Sequence, residues 1–116
     1  MATLVRELEA LERLHAEFGL RYDELAQAVS TSESTLHRWR RGSGGDPTPV
    51  YIARLAALQT FLEELDALFA DRAAARGWLE QTLAVLKGAT PRSMIATGHV
   101  DRVTGVLYAM NAGAAL

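Results

Sequence analysis

One apolar stripe in this sequence recurs at helical spacing for about six turns, and it constrains the fold more than any other feature. The segment opens with Thr48 and Pro49, a capping residue followed by proline at the first helical position. The stripe then places apolar residues at intervals of mostly three or four: Ile52, Leu55, Leu58, Phe61, Leu62, Leu65, Leu68 and Phe69. The pattern predicts one long helix whose apolar face other elements must cover.

The clearest break in the chain lies directly before this helix. Residues 42–47 read Gly-Ser-Gly-Gly-Asp-Pro, and three glycines with a proline cannot continue a helix. We expect an exposed loop or hinge at this point.

Three shorter helices are predicted before the break. The first runs from Leu4 to Phe18 and is stopped by Gly19. The second covers 22–29 and ends near Ser30, and the third covers 33–41, with Ser32 as its cap. Its apolar residues, Leu36 and Trp39, are expected to point inward.

Three helices are also predicted after the long one. We expect a helix from Ala73 to Leu86, a short helix opened by Thr90-Pro91 and closed by Gly98, and a final helix that ends near Gly113. No segment alternates as a strand would, so the predicted fold class is all-α.

A chain of 116 residues is long enough for one cooperative unit with a shared core. Its apolar fraction of 49% and charged fraction of 22% are those of a globular protein and exclude a disordered chain. We expect a DNA-binding region at 1–47, a connecting helix at 48–70 and a C-terminal helical domain at 71–116.

Several classes of function find no support in the residue pattern. There is no cysteine, and His15, His37 and His99 lack ligand spacing, so we expect no metal. A phosphate-binding glycine loop and an HExxH motif are missing, so we expect no cofactor, no catalytic residue and no enzyme. The N-terminus does not resemble a signal peptide and no apolar run approaches about 18 residues, so a cytoplasmic protein is expected.

Residues 25–39 resemble a helix-turn-helix. Ala26 is small enough to let two helices cross closely, and Leu36 and Trp39 would dock the second helix on the first. This motif often has glycine in its turn, whereas this chain has Ser30, a residue that resists a left-handed backbone. The alternative is an ordinary helical hairpin whose arginines are merely solvated.

DNA binding would require a local basic face, because the net charge is −2. Three arginines fall within four positions of the third helix, while the acidic residues gather elsewhere. In a helix-turn-helix the start of the second helix faces base edges and flanking groups hold phosphates. The predicted DNA-binding residues are Ser32, Glu33, Ser34, Thr35, His37, Arg38, Arg40 and Arg41, with Arg40 and Arg41 as backbone anchors. Glu33 could accept a hydrogen bond from a cytosine amino group and so supply specificity.

The C-terminal part carries a second pattern. Trp78-Leu79 is followed by Gly88 and Pro91, then by Thr97-Gly98, and then by a final helix with Val103, Val106-Leu107 and the late Gly113. This order resembles the toxin-binding domain of the Xre/MbcA/ParS antitoxin family, which also places an Xre-like helix-turn-helix in front of it. The likeness covers about residues 20 to 113. It departs from the family between Trp78 and Gly88, where proline and asparagine are lacking, and at Met94-Ile95.

The resemblance implies a type II antitoxin that binds and inhibits a RES-domain toxin, an enzyme that consumes NAD or transfers its ADP-ribose. It also implies repression of the antitoxin's own operon and a homodimer within a larger toxin–antitoxin complex. By position, the segment from Asn111 to Leu116 would be a plug for the toxin's active site. Exposed residues nearby are the other predicted contacts, and the predicted toxin-binding set is Arg92, His99, Arg102, Tyr108, Asn111, Gly113 and Leu116. Arg102 and Tyr108 are of the residue types that often anchor interfaces.

Apolar residues of this half are predicted to form core rather than contacts. They are Trp78, Leu79, Met94, Val103, Leu107 and Met110. Two other functions remain open: a stand-alone transcription regulator whose C-terminal helices dimerise or bind a ligand, and a toxin inhibitor without DNA binding. A dimeric DNA binder would place its recognition helices about 34 Å apart.

Overall fold

The fold consists of helices and connecting turns in the part of the chain that the structure, a computed structural model, describes, namely residues 4–43 and 45–114. The seven α-helices there are α1 (Val5–Ala16), α2 (Tyr22–Ala28), α3 (Glu33–Arg41), α4 (Pro49–Leu68), α5 (Arg72–Leu79), α6 (Pro91–Ala96) and α7 (Val100–Asn111). The all-α prediction is confirmed. No helix of the described residues is long and apolar enough to cross a membrane.

Helix α4 is the long helix against which other helices of the fold pack. Its 20 residues extend for about 30 Å, most of the molecule's 44 Å length. It packs against α1 and against α7, and its fully buried side chains include Leu55, Leu58 and Phe61. The predicted apolar stripe therefore faces the core, and replacing Phe61 by alanine would cost about 3–5 kcal/mol.

The N-terminal helices have the predicted order and nearly the predicted bounds. Helix α1 ends at Ala16, two residues before the expected end, and Gly19 has a φ of 78° where the chain turns toward α2. Ser32 caps α3 by accepting a hydrogen bond from the Thr35 amide at 3.1 Å. Thr48 occupies the N-cap position of α4, but its side chain makes no capping hydrogen bond.

The predicted helix from Ala73 to Leu86 is wrong in its second half. Helix α5 ends at Leu79, and a separate 3₁₀ turn covers Ala84–Leu86. The chain between them folds into a loop that is closed at Leu83, whose amide donates to the Ala89 carbonyl at 3.1 Å and whose carbonyl accepts from the Gly88 amide at 2.9 Å. Leu79 and Leu86 are both buried by this route, so their helical spacing did not require a helix.

The last two helices agree with expectation. Thr90 caps α6 by accepting from the Ser93 amide at 3.1 Å, and Gly98 and Gly113 have the positive φ expected of helix stops. All the buried apolar residues of the described chain form one cluster. The two halves thus share a core, and the division at residues 47 and 70 stays a prediction.

Candidate nucleic-acid interface and C-terminal helix

Helices α2 and α3 pack against each other in the helix-turn-helix arrangement. Leu25, Ala26 and Leu36 are almost fully buried where the two helices meet. Ser30, in the turn between them, has a φ of 61°. The left-handed conformation is therefore adopted by serine at the position where glycine is common, at an energetic cost of about 1–2 kcal/mol.

Helix α3 presents two different sides to its surroundings. Glu33, His37 and Arg40 follow each other at spacings of four and three, which places them on one side of the helix. Arg40 on this side forms an ion pair with Glu12 of α1. Ser34, Arg38 and Arg41 also follow at four and three, and all three are exposed.

The first side is occupied by contacts within the protein. Arg40 donates to Glu12 Oε2 at 3.1 Å, and its guanidinium group lies 4.2 Å from the centre of the Tyr22 ring. The Tyr22 hydroxyl also donates to Glu12, at 3.1 Å. The hydrogen bond from Arg40 lowers the pKa of Glu12, and burial raises the pKa of Tyr22.

His37 belongs to the same network, and its tautomer follows from its partners. Its Nδ1 lies 2.8 Å from Arg40 Nη1. A guanidinium group can only donate, so Nδ1 accepts and the proton sits on Nε2. Nε2 then donates to Glu33 at 3.4 Å.

The expectation that acidic residues lie away from the basic run is therefore wrong at Glu12, which reaches Arg40 across 28 positions of sequence. Arg40 is held against α1 and α2 by these contacts, and the predicted role of Arg40 and Arg41 as backbone anchors stays a prediction. Within the described residues, Arg38 and Arg41 have no carboxylate oxygen within 4 Å. Helical spacing could have separated Arg40 from the other arginines. Arg40 lies four positions after the buried Leu36 and therefore on the same side of α3.

Of the predicted toxin-binding residues that the structure describes, all but one lie on or beside α7. His99, Arg102, Asn111 and Gly113 are exposed, and Tyr108 is 67% exposed. Asn111 donates to Glu64 Oε2 at 3.0 Å and so ties the end of α7 to α4. Leu116 lies outside the described residues.

The exception is Arg92, which is half-buried instead of exposed. Its guanidinium group donates to Glu24 at 2.7 Å, to Glu80 at 2.9 Å and to the Gly19 carbonyl at 2.9 Å. These contacts join α6 to α2 and explain why the side chain does not project freely. A toxin contact at Arg92 stays a prediction.

The core predictions for this half are largely confirmed. Trp78, Leu79, Val103 and Leu107 are buried, whereas Met94 and Met110 are partly buried. A groove of about 240 Å³ lies between α7 and the loop after α5, and its lining is Trp78, Gln81, Leu83, Ala84, Val85, Val106 and Met110. Val85 is 40% exposed there. No sequence pattern indicates this groove, because its presence depends on where α5 ends.

Comparison with known proteins finds relatives for the helix-turn-helix region and for the fold of the whole chain. Residues 4–58 match the family described as the antitoxin Xre-like helix-turn-helix domain. A chain of the crystal structure of the M. tuberculosis MbcT–MbcA toxin–antitoxin complex has the same fold, with 25% sequence identity and a TM-score of 0.70. The alignment covers 100% of this chain and 98% of that one. A search of curated protein sequences finds no match. The family match identifies residues 4–58 as an antitoxin Xre-like helix-turn-helix domain, and the structural match shows that the whole chain shares the fold of a chain from a toxin–antitoxin complex.

Proposed function

We propose that this antitoxin binds and inhibits a RES-domain toxin that consumes NAD. The observation that carries the proposal is the agreement of the whole chain, and not only of its helix-turn-helix half, with a chain from a toxin–antitoxin complex. The catalytic activity would belong to the toxin.

The toxin-binding surface that we propose is centred on α7. Tyr108 is the most exposed large side chain among the described residues that are apolar or aromatic. Arg102 is exposed on the same helix, and neither residue contributes to the core. An aromatic ring and a guanidinium group that are exposed and lie outside the core can anchor an interface without disturbing the fold.

The groove beside Val85 adds apolar area on the side of α7 that carries Arg102, which lies four positions before Val106. Its walls are held by buried Trp78 and Val106, so the groove would keep its shape when a partner binds. The segment from Asn111 to Leu116 would follow α7 into the toxin's active site.

The test is to express the chain with the protein encoded by the neighbouring gene. We expect the two proteins to co-purify and cellular NAD to fall only when the antitoxin is absent. A matched pair of variants sharpens the result: Y108A should weaken the complex, whereas V50A, which changes an exposed valine in the other half, should not. Absence of any complex, with NAD unchanged, would favour a stand-alone transcription regulator.

We further propose that the antitoxin represses its own operon by binding DNA through the outward side of α3. Ser34, Arg38 and Arg41 would meet the DNA, and the carboxylate-free environment of the two arginines supports this role. A homodimer would bind two half-sites about 34 Å apart, and toxin that links dimers would raise the affinity through multivalency.

A gel-shift assay with DNA from upstream of the gene tests this second proposal. R38A and R41A should each weaken binding. R6A is the control, since Arg6 is an exposed arginine of α1 that lies beside the acidic residues Glu63 and Asp66. A lack of binding by all four proteins would indicate an inhibitor without DNA binding, and equal binding by all four would show that neither Arg38 nor Arg41 contacts the DNA.

A further inference from the structure

Arg54 brings a positive charge from α4 to the turn of the helix-turn-helix. It lies in the second turn of α4, is exposed, and donates a hydrogen bond from Nη1 to the Ser30 hydroxyl. Ser30 is itself exposed and stands two residues before Ser32, the cap of α3. The sequence places Arg54 some 24 positions from this turn, so only the fold reveals the contact.

Arg38 reaches the same end of α3 from the other direction. Its Nη2 donates to Thr35 Oγ1 at 3.0 Å, and Ser32 Oγ lies 2.9 Å from the same oxygen. Two guanidinium groups and three hydroxyl groups, those of Ser30, Ser32 and Thr35, are thus arranged around the start of α3.

The positive charges of Arg38 and Arg54 are not paired with carboxylates in the described part of the chain. Like Arg38, Arg54 has no carboxylate oxygen within 4 Å in the described part of the chain. Glu33, the acidic residue at this end of α3, is hydrogen-bonded to His37 on the side that faces α1. Arg40 shows the contrast, because its charge is paired with Glu12.

The hydrogen bonds leave both arginines able to bind an anion. A guanidinium group has five N–H donors, and the contact with Ser30 uses one donor of Arg54. Because the Ser30 oxygen accepts that bond, its own hydrogen is free to donate elsewhere. Guanidinium and hydroxyl donors are the groups that proteins use to hold DNA phosphates.

We propose that Arg54 contacts a phosphate of the DNA backbone beside the turn of the helix-turn-helix, while Arg38 contacts the backbone at the other side of the start of α3. Arg54 then positions the recognition helix in the groove and reads no base. This inference rests on the proposed DNA binding, and it adds a contact from α4, the helix that also packs against the toxin-facing α7.

The experiment measures how the dissociation constant depends on salt concentration for two DNA duplexes, the one upstream of the gene and a shuffled duplex of equal length. The proteins are wild type, R54Q, R54K and the control R6Q. Loss of one phosphate contact should lower the slope of log K against log salt by about 0.9 per bound chain. We expect this loss in R54Q on both duplexes, and slopes close to wild type in R54K and R6Q.

The outcomes separate the two proposals. If wild type binds DNA and R54Q has an unchanged slope, Arg54 is not a phosphate contact, although DNA binding stands. If R54Q weakens only the upstream duplex, Arg54 takes part in reading sequence and the inference is wrong. If wild type binds neither duplex, the proposed DNA binding itself fails.

Discussion

The guanidinium group of Arg92 donates two hydrogen bonds to the carboxylate of Glu24, from Nη2 to Oε1 at 2.7 Å and from Nε to Oε2 at 3.0 Å. Glu24 lies in α2 of the helix-turn-helix, and Arg92 lies in the first turn of α6. Glu24 Oε1 also accepts from the Arg21 amide at 2.9 Å, so one carboxylate caps α2 and links it to the C-terminal half.

We expect R92M to lower the free energy of unfolding by about 1.5–3 kcal/mol. The Glu24 side chain is only 13% exposed, and the substitution leaves it with Arg21, 3.8 Å away, as its one remaining charged partner among the described residues. Denaturation by urea measures the change. R21M is the matched control: its ion pairs, with Asp23 at 3.0 Å and Glu24 at 3.8 Å, involve an arginine side chain that is 69% exposed, so the loss should be at most about 1 kcal/mol. Equal stability of R92M and wild type would contradict a structural role. Weakened toxin binding by R92M with unchanged stability would instead identify Arg92 as a toxin contact.

The same bond predicts how stability depends on pH. The hydrogen bond from Arg92 lowers the pKa of Glu24, so the unfolded chain takes up this proton near pH 4.3 and the folded chain only at lower pH. The stabilisation is therefore present above about pH 4.3 and is lost as the pH falls through the lowered value. Urea denaturation between about pH 3 and 7 should show a smaller decrease for E24Q than for wild type. Equal decreases would rule out this contribution.

Local signals account for the helices that the sequence predicts well. Helix α3 has a serine cap, an apolar pair and a following glycine, and its observed bounds are those predicted. Each of these signals acts within one helix, where neighbouring residues decide the conformation.

Long-range packing accounts for what the sequence did not predict. The spacing of Leu79, Leu83 and Leu86 fits a helix, yet a loop closed at Leu83 buries two of the three. The bond between Glu24 and Arg92 joins residues 68 positions apart, and no local pattern indicates it. The same contrast applies to the candidate site. Helical spacing predicts that Arg38 and Arg40 lie on different sides of α3, whereas no local pattern predicts the contact between Arg54 and Ser30.

We expect S30G to stabilise the protein by up to about 1 kcal/mol, because glycine adopts the φ of 61° without the strain that serine bears. The lost hydrogen bond with Arg54 and the greater entropy of unfolded glycine offset part of the gain. Thermal unfolding measures it. S30A is the control, since it loses the hydroxyl and keeps the strain, and it should be no more stable than wild type. A less stable S30G would mean that the lost contact with Arg54 and the entropy of unfolded glycine together outweigh the strain.

Two substitutions on α7 separate binding from folding. Tyr108 is exposed and Leu107 beside it is fully buried. We expect Y108A to weaken the complex with the toxin at least tenfold, a cost of about 1.4 kcal/mol or more, and to leave the melting temperature unchanged. L107A should destabilise the antitoxin by about 2–5 kcal/mol. Titration calorimetry with purified toxin gives the affinity, and an unchanged affinity for Y108A would exclude Tyr108 as an anchor.

Removal of residues 113–116 tests whether the end of the chain blocks the toxin's active site. Helix α7 ends at Asn111. The described residues of the removed segment contribute two backbone hydrogen bonds to the final turn, from the Gly113 amide to the Met110 carbonyl at 3.0 Å and from the Ala114 amide to the Ala109 carbonyl at 2.9 Å. The truncated protein should therefore fold and still bind toxin through α7. We expect it to leave NAD consumption by the saturated toxin substantially uninhibited, whereas Y108A at saturation should inhibit fully because its tail is intact. Full inhibition by the truncated protein would show that the antitoxin acts by covering the toxin or changing its shape and not by inserting its tail.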